Sequence, residues 1–423
     1  MSFMIFFLVY FVAFFLQTYT IKKRFINKLN FSLKTRKYLG FALYLTFFGA
    51  LLYPMARYFP LVPNWLYFLL SLPIGVIFLT FIITIFHDII SIGFKKAFKK
   101  SKISSQRRNF FKKTFDIGAT SLILATNLKA IDNARHIELE VVDVEIKNLK
   151  KPYKIIQLSD IHIGGLIDKK FIEDLVKKVN ILDGDLVVIT GDLVDTKLEF
   201  AKPALDELKN INSKYGTYFI VGNHEYYLNG KENKSLFKGS FERVSNMREL
   251  INKEDNIYCL NGDIIEINGV KFGGCDSWYS EGYLQVNYPD EFFPKYSTNI
   301  MWQNSTPDSK FVVGIENFDD IFEIERPKIE RVYKECDVMI THINPSAKKE
   351  YLNPKYKNSL SNTFFCFDGE DYLKNGSMKY WIFGHNHDII EYKEHNVKCI
   401  CNPLGYFNES GNGSWVKIKQ IEV

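Results

Sequence analysis

The sequence predicts an α/β domain carried behind a membrane-embedded amino-terminal region, and three observations lead there. The first ninety residues are dominated by Phe, Leu, Ile and Tyr, although the whole chain of 423 residues is only 47% hydrophobic. Charge is divided the same way. Seventeen Lys and Arg precede Asp116 against one acid, Asp88, which leaves 37 basic and 47 acidic residues for the remainder. A basic excess confined to one end points to a membrane surface rather than to nucleic acid. From His136 onward, short β-branched runs alternate with stretches of helical spacing, the pattern of an α/β core.

The amino-terminal region reads as three transmembrane helices within residues 1–92. The apolar stretches cover residues 3–16, 39–56 and 65–86. The second and third approach the ~20 residues that cross the hydrocarbon layer, and Tyr19 and Thr20 extend the first to the interface. A cleaved signal peptide fits poorly. No basic residue precedes the first run and no small-residue cleavage site follows it. Lys22, Lys23, Arg24, Lys28, Lys34, Arg36 and Lys37 fill the first loop, whereas the second has only Arg57. The positive-inside rule then puts the amino terminus outside and the chain from Ile92 onward in the cytoplasm of a bacterial-type inner membrane.

Residues 93–135 read as a basic juxtamembrane linker with a weak apolar run at residues 117–128. The run follows Arg107-Arg108-Asn109-Phe110-Phe111-Lys112, which resembles a twin-arginine export signal. A crossing there would turn the following domain outward. Its dozen residues and several hydroxyls suit an interfacial or buried helix better, so a cytoplasmic domain is the expectation.

Strands are expected at residues 137–144, 153–158, 185–190, 218–221, 338–341, 380–383, 397–400 and 415–418, with helices at 168–179 and 200–211. Five of these strands end in Asp, Asn or His. Asp160 and His162 stand two residues apart, a spacing that lets both face one ion in extended chain. Asp192 follows Gly191, and its two carboxylate oxygens can bridge two cations. Asn223 and His224 lie in Gly-Asn-His-Glu, His342 follows Thr341, and His385 and His387 lie in Gly-His-Asn-His. Five of eight histidines at strand ends are hard to explain without metal. A mixed His, carboxylate and amide set suits Mn, Fe or Zn.

In this order, D-x-H, G-D-x-x-D, G-N-H-E, T-H and G-H-x-H resemble the calcineurin-like metallophosphoesterase superfamily, over roughly residues 150–423. The resemblance implies a four-layer αββα sandwich with two divalent ions, Mn foremost. One would be held by Asp160, His162, Asp192 and His387, the other by Asp192, Asn223, His342 and His385. His224 would protonate the leaving oxygen or stabilise transition-state charge. Asp195 and Glu225 are candidates for orienting histidines, and Asp195 equally for capping a helix. The domain would fill residues 136–423, with an aromatic insertion near 276–330.

That insertion, and a second aromatic piece at residues 362–367, read either as core or as a lid or acyl-chain groove. The six cysteines show no metal or redox spacing and read as buried thiols. A membrane anchor beside such a site favours a lipid-linked or nucleotide-linked phosphorylated substrate. Some superfamily members cleave UDP-2,3-diacylglucosamine to lipid X and UMP in lipid A synthesis, and the resemblance extends to that step. Another phosphodiesterase or phosphatase acting on an exported substrate is the alternative. A non-catalytic membrane scaffold is more remote, and a nucleic-acid substrate is not expected of an acidic domain.

Overall fold

The computed structural model describes residues 3–58, 63–100, 103–133, 138–142, 154–165, 167–253, 256–353, 356–404 and 417–422. The outer residues of three expected strands, 137, 143 and 144 of the first, 153 of the second and 415 and 416 of the last, lie outside the described residues. The chain divides into two compact units, Met1–Arg135 and His136–Val423.

The first unit is helical. Helices α1 (Phe3–Thr20), α2 (Leu33–Tyr58), α3 (Asn64–Lys100) and α4 (Ser105–Asn133) share a core of Phe14, Ile21, Phe25, Leu43, Ala50, Ile77 and Ala119. Three stretches, Met4–Lys28, Leu33–Met55 and Trp65–Phe98, are long and apolar enough to cross a membrane. A π-helical turn at Ile21–Phe25 and a 3-10 turn at Ile26–Lys28 continue α1. Most of the described residues of the expected linker are helical, 93–100 within α3 and 105–133 within α4. The end of α3 and the whole of α4 absorb the basic run, and the weak apolar run lies in the second half of α4.

The second unit contains two six-stranded mixed sheets. The first has the order β1 (Glu138–Val142), β12 (Lys417–Glu422), β2 (Lys154–Leu158), β3 (Leu186–Thr190), β4 (Thr217–Ile220) and β5 (Ile257–Cys259). The second has the order β10 (Ile390–Glu394), β11 (Val397–Cys401), β9 (Tyr380–Phe383), β8 (Val338–Ile340), β7 (Val270–Gly274) and β6 (Asp263–Ile267). One apolar cluster joins them. Ile155, Leu186, Val188 and Ile220 of the first sheet meet Phe272, Val338, Ile340, Ile382 and Ile400 of the second. The alternate residues Ile156, Val187, Ile189 and Phe219 point the other way and are also buried. Strands covered on both faces read as continuous apolar runs, which is why residues 185–190 stood out.

Parallel pairing runs through β2, β3, β4 and β5, and again through β7, β8, β9 and β11. The connections carry α5 (Lys169–Ile181), α6 (Leu198–Leu208) and α7 (Ser240–Asn252). Asp168 starts α5 by accepting the Phe171 N–H at 3.0 Å. Phe171, Leu175, Val176 and Val179 then bury one stripe of that helix. Between β7 and β8 lie α8 (Gly282–Asn287), α9 (Lys295–Ser305), α10 (Asp308–Phe311) and α11 (Asp320–Val332). The short α12 (Glu370–Asn375) precedes β9. The sequence reading did not foresee β5, β6 and β10, which lie at sheet edges, or the interior β7, whose apolar run is broken by Lys271, Gly273 and Gly274.

The aromatic insertion is core rather than loop. Trp278, Tyr279 and Tyr283 are fully buried, as are Phe364 and Phe367 of the second aromatic piece. The six cysteines are free thiols, and all except Cys259 are buried.

Candidate metal centre

Parallel strands deliver their carboxyl ends to one edge of a sheet, and ligands collect there. Asp160 and His162 follow β2, Asp192 follows β3, Asn223 and His224 follow β4, His342 follows β8, and His385 and His387 follow β9. All eight residues expected at the site converge. The backbone is forced to bring them there. Asp160, His162, Asp192, His385 and His387 adopt φ between 51 and 68°, a left-handed conformation that costs a residue with a Cβ roughly 1–2 kcal/mol. Two glycines of the motifs are needed for close approach. A Cβ on Gly222 would meet the Asp192 carboxylate and the His342 ring, and one on Gly384 would meet Ser159 and the Asp160 carboxylate.

Two clusters result. In the first, ligand atoms of Asp160, His162, Asp192 and His387 lie within 4.8 Å of one another. His162 Nε2 faces His387 Nε2 at 3.0 Å, and His387 Nε2 lies 3.4 Å from Asp160 Oδ1. In the second, Asp192, His342 and His385 meet the same criterion. The Asn223 Oδ1 atom stands 3.0 Å from His342 Nε2 and 2.9 Å from His385 Nδ1. Asp192 serves both clusters, its Oδ1 lying 3.4 Å from His342 Nε2 and its Oδ2 3.9 Å from His162 Nε2.

The protons of the second cluster show what it is built to hold. His342 donates Nδ1–H to the Thr190 carbonyl at 2.7 Å, and His385 donates Nε2–H to the Phe364 carbonyl at 2.9 Å. A carbonyl only accepts, so the inward nitrogens of both neutral rings carry lone pairs. The Asn223 amide donates Nδ2–H to Asp308 at 2.8 Å, which turns its oxygen inward as well. Three acceptors therefore face one another about 3 Å apart beside a carboxylate, an arrangement that a cation relieves.

Burial keeps the imidazoles neutral. It pushes His342 down to about 3, His162 well below its ordinary value, and His385 down as well. Burial, followed by the charges of Asp160 and Glu225, drives Asp192 well above the carboxylate range. Burial acts on Asp160 in the same direction, but the hydrogen bond and charge of His387 outweigh it and hold that carboxyl low.

His224 stands at the rim of the first cluster, with Nε2 3.8 Å from Asp192 Oδ2. Its Nδ1 lies 3.0 Å from Asp195 Oδ1, and Lys231 Nζ reaches the same oxygen at 3.0 Å. Of the two roles open for Asp195, orienting a histidine is the one observed; α6 has Lys197 at its start. Burial opposes ionisation of Asp195, yet Lys231 and His224 hold its carboxyl well below the usual range.

Glu225 departs from expectation. Rather than orienting an imidazole, it accepts the backbone N–H groups of Gly222, Asp192 and Val194 at 2.7, 3.0 and 2.8 Å. It staples together the loops after β3 and β4. Burial raises it to about 7 even against those three hydrogen bonds.

Other supports were not legible in the sequence. Asp308 of α10 accepts from Asn223, from the Tyr227 hydroxyl at 2.6 Å and from the Tyr279 hydroxyl at 2.7 Å. Trp302 of α9 donates its Nε1–H to Tyr279 at 2.7 Å. Buried Arg243 of α7 donates to the carbonyls of His224, Glu225 and Thr196. No spacing signal could reveal these residues, because each is far along the chain from the group it holds.

A two-sheet α/β sandwich with paired His, Asp and Asn clusters at its strand ends defines a metal-dependent phosphoester hydrolase. The chain belongs to the calcineurin-like phosphoesterase family, whose sequence profile matches residues 153–388. An uncharacterized metallophosphoesterase of Campylobacter jejuni is 30% identical over 254 residues, which is 60% of this chain and 66% of that protein. A transmembrane protein with metallophosphoesterase domain from Bos taurus is 35% identical over 130 residues, 29% of each chain. The chain thus spans less than two thirds of the length of these relatives. Among solved structures, phosphopantetheinyl hydrolase from Mycobacterium tuberculosis aligns with a TM-score of 0.47 and 14% identity, over 64% of this chain and 95% of that one.

Proposed function

We propose that this protein hydrolyses phosphate esters or anhydrides presented at the membrane in which it is anchored, using two divalent cations, Mn foremost and Fe or Zn as alternatives. The observation that carries the reading is the inward-facing acceptor cluster of His342, His385 and Asn223 beside the shared carboxylate of Asp192. Asp160, His162, Asp192 and His387 would hold one cation, and Asp192, Asn223, His342 and His385 the other. Cations so held supply Lewis-acid activation of a water and neutralise phosphoryl charge.

The chain's own groups do the rest. His224 is placed to deliver a proton from Nε2 to the leaving oxygen, and Asp195 stabilises the imidazolium that does so. Lys231 shares the Asp195 oxygen and fixes that carboxylate from the other side. Complete ligand sets together with His224 favour an enzyme over a scaffold. The acid-rich composition of the second unit favours a small or lipid-borne substrate over nucleic acid.

Two substrate classes follow from the side of the membrane that the centre faces. UDP-2,3-diacylglucosamine, giving lipid X and UMP, is the specific candidate for a cytoplasmic face of a bacterial-type inner membrane. An exported phosphoester is the candidate for the other face, and the packing of α4 favours it. The test is UMP release from UDP-2,3-diacylglucosamine by the purified full-length chain with Mn, alongside a generic aryl phosphodiester and an Asn223→Ala control. Cleavage of neither substrate by the parent would end the hydrolase reading. Cleavage of the aryl ester alone would remove the UDP-lipid and leave the two-metal chemistry standing.

A further inference from the structure

The helix α4, 29 residues long, falls short of the hydropathy of the spanning segments in α1–α3, yet its packing is that of one. The end of α3 and the start of α4 run antiparallel. His87 stacks on Phe115 with ring centroids 4.7 Å apart, Phe94 meets Phe115 at 5.4 Å, and Phe98 meets Phe111 at 6.2 Å. As α3 advances, α4 recedes. Continued in that sense, the second half of α4 lies beside the apolar part of α3. Ala119 is buried in the same core as Phe14 of α1, Ala50 of α2 and Ile77 of α3, with Ile123 packed against it.

The polar groups mark a plane. Arg24 and Lys28 after α1 grip Asp88 of α3 at 2.6 and 2.8 Å. One residue away, His87 reaches Asp116 of α4 at 2.9 Å, and the Asn30 N–H donates to the same carboxylate at 2.6 Å. Buried ionisable groups at the end of apolar helices pair with one another, as here, where the chain passes from hydrocarbon to headgroups. Residues 3–20 of α1 and 65–86 of α3 precede these charges along their helices and residues 117–133 of α4 follow them, and the shared core groups all three with residues 39–56 of α2.

The composition of the α4 surface changes at that plane. Before Phe115 its exposed residues include Arg107, Arg108, Lys112 and Lys113; beyond Asp116 they include Ile117, Leu122, Leu124 and Leu128 at 47, 52, 62 and 58% exposure. Three of the polar side chains among these leucines close onto the helix itself. Thr120 donates to the Asp116 carbonyl, Thr126 to Leu122, and Asn127 to Ile123, each at 2.8 Å. Such internal satisfaction is what a helix in lipid requires and a helix in water does not. At 1.5 Å per residue, the apolar stretch from Ile117 to Leu128 rises roughly 18 Å, and Lys129 and Asp132, exposed and paired at 2.9 Å in the next turn, stand where the far headgroups would meet the helix.

We infer that α4 is a fourth transmembrane helix, so that the phosphoesterase unit emerges on the membrane face opposite the basic loops and acts on phosphoesters exposed there. Both basic stretches, residues 22–37 and 95–113, then share the cytoplasmic face, as the positive-inside rule asks. An even number of crossings returns the chain to the side of its amino terminus. The hydropathy of the run at 117–128 suggested otherwise because average hydropathy counts Thr and Asn as polar even when their hydrogen bonds are made within the helix. The substrate class deepens the proposed function and rests on that reading, but the topology does not.

The test is labelling of the full-length chain in sealed, right-side-out bacterial membrane vesicles with an impermeant maleimide. The background carries Cys259→Ser, because the other five thiols are buried. Lys177→Cys reports the exposed face of α5 and Lys112→Cys the basic part of α4. The expected result is labelling of Lys177→Cys before permeabilisation and of Lys112→Cys only after it, with a cytoplasmic marker checking the seal. Labelling of Lys112→Cys alone, of both or of neither before permeabilisation overturns the inference. Hydrolysis of an aryl phosphodiester by permeabilised vesicles is scored separately. A chain that labels as expected yet hydrolyses nothing keeps its topology and loses the proposed chemistry.

Discussion

Asn223 faces the histidines because its amide is held from behind. Asp308 accepts its Nδ2–H at 2.8 Å, and without that carboxylate only the Tyr227 hydroxyl at 3.2 Å keeps the amide from turning a donor toward the cations. Asp308→Ala is expected to weaken metal binding about 10- to 100-fold, the usual range for a supporting residue, read as Mn occupancy by equilibrium dialysis. Proton competition is argued at the same scale. His342 and His162 are already neutral across the physiological range, so protons do not compete there. Asp192 is raised by burial and by its acidic neighbours, and Glu225 lies at about 7. A raised carboxyl holds a proton that a cation must displace. The raised Asp192 carboxyl therefore makes affinity fall as pH falls, and binding releases protons. Titration calorimetry in buffers of differing ionisation enthalpy measures that release; none at neutral pH would contradict the assignment to Asp192.

The loops after the strands are the elements that decide geometry. Gly222 lets the turn after β4 lie against Asp192 and His342. Gly222→Ala is expected to leave a folded chain that takes up little metal, checked by circular dichroism together with metal content. The His224 turn is locked from outside by Arg243 of α7, whose guanidinium also lies 3.5 Å from Glu232. Glu232 in turn accepts the Leu198 N–H at the start of α6 at 2.9 Å. Arg243→Ala strands a buried carboxylate and empties a filled site. Breaking such a pair costs about 3–5 kcal/mol, to be read from denaturant unfolding of the solubilised chain. A change near zero would mean that Glu232 is neutral or finds water.

At the scale of the whole molecule, two units with separate cores share one chain, and the metal centre lies in the second. A ligand that binds the native state alone stabilises it by mass action. Chelation is therefore expected to abolish hydrolysis and to lower the unfolding temperature of the phosphoesterase unit, while the helical unit melts unchanged. Divalent cation added back should restore both, followed by near-ultraviolet circular dichroism for the second unit. One common shift of both transitions would show that the units unfold together.

Much of the centre was legible in the sequence because its chemistry is local. A ligand at the end of a buried apolar strand, next to a glycine that admits it, is a pattern a few residues long. Asp192, Asn223 and His385 announce themselves that way, and Asp160, His162, His342 and His387 by lying within a few residues of such a strand end. The central strands were legible for the same reason, since burial on both faces leaves an unbroken apolar run. What only the tertiary structure decided are relations between distant segments. Asp308 is 85 positions from Asn223, and Glu225 proves to hold backbone rather than imidazole. The inferred side of the membrane rests on the packing of α4, whose hydropathy alone does not mark it as a spanning helix. Composition records which groups are polar, but only packing shows which of them are already satisfied, and satisfied groups can enter a membrane.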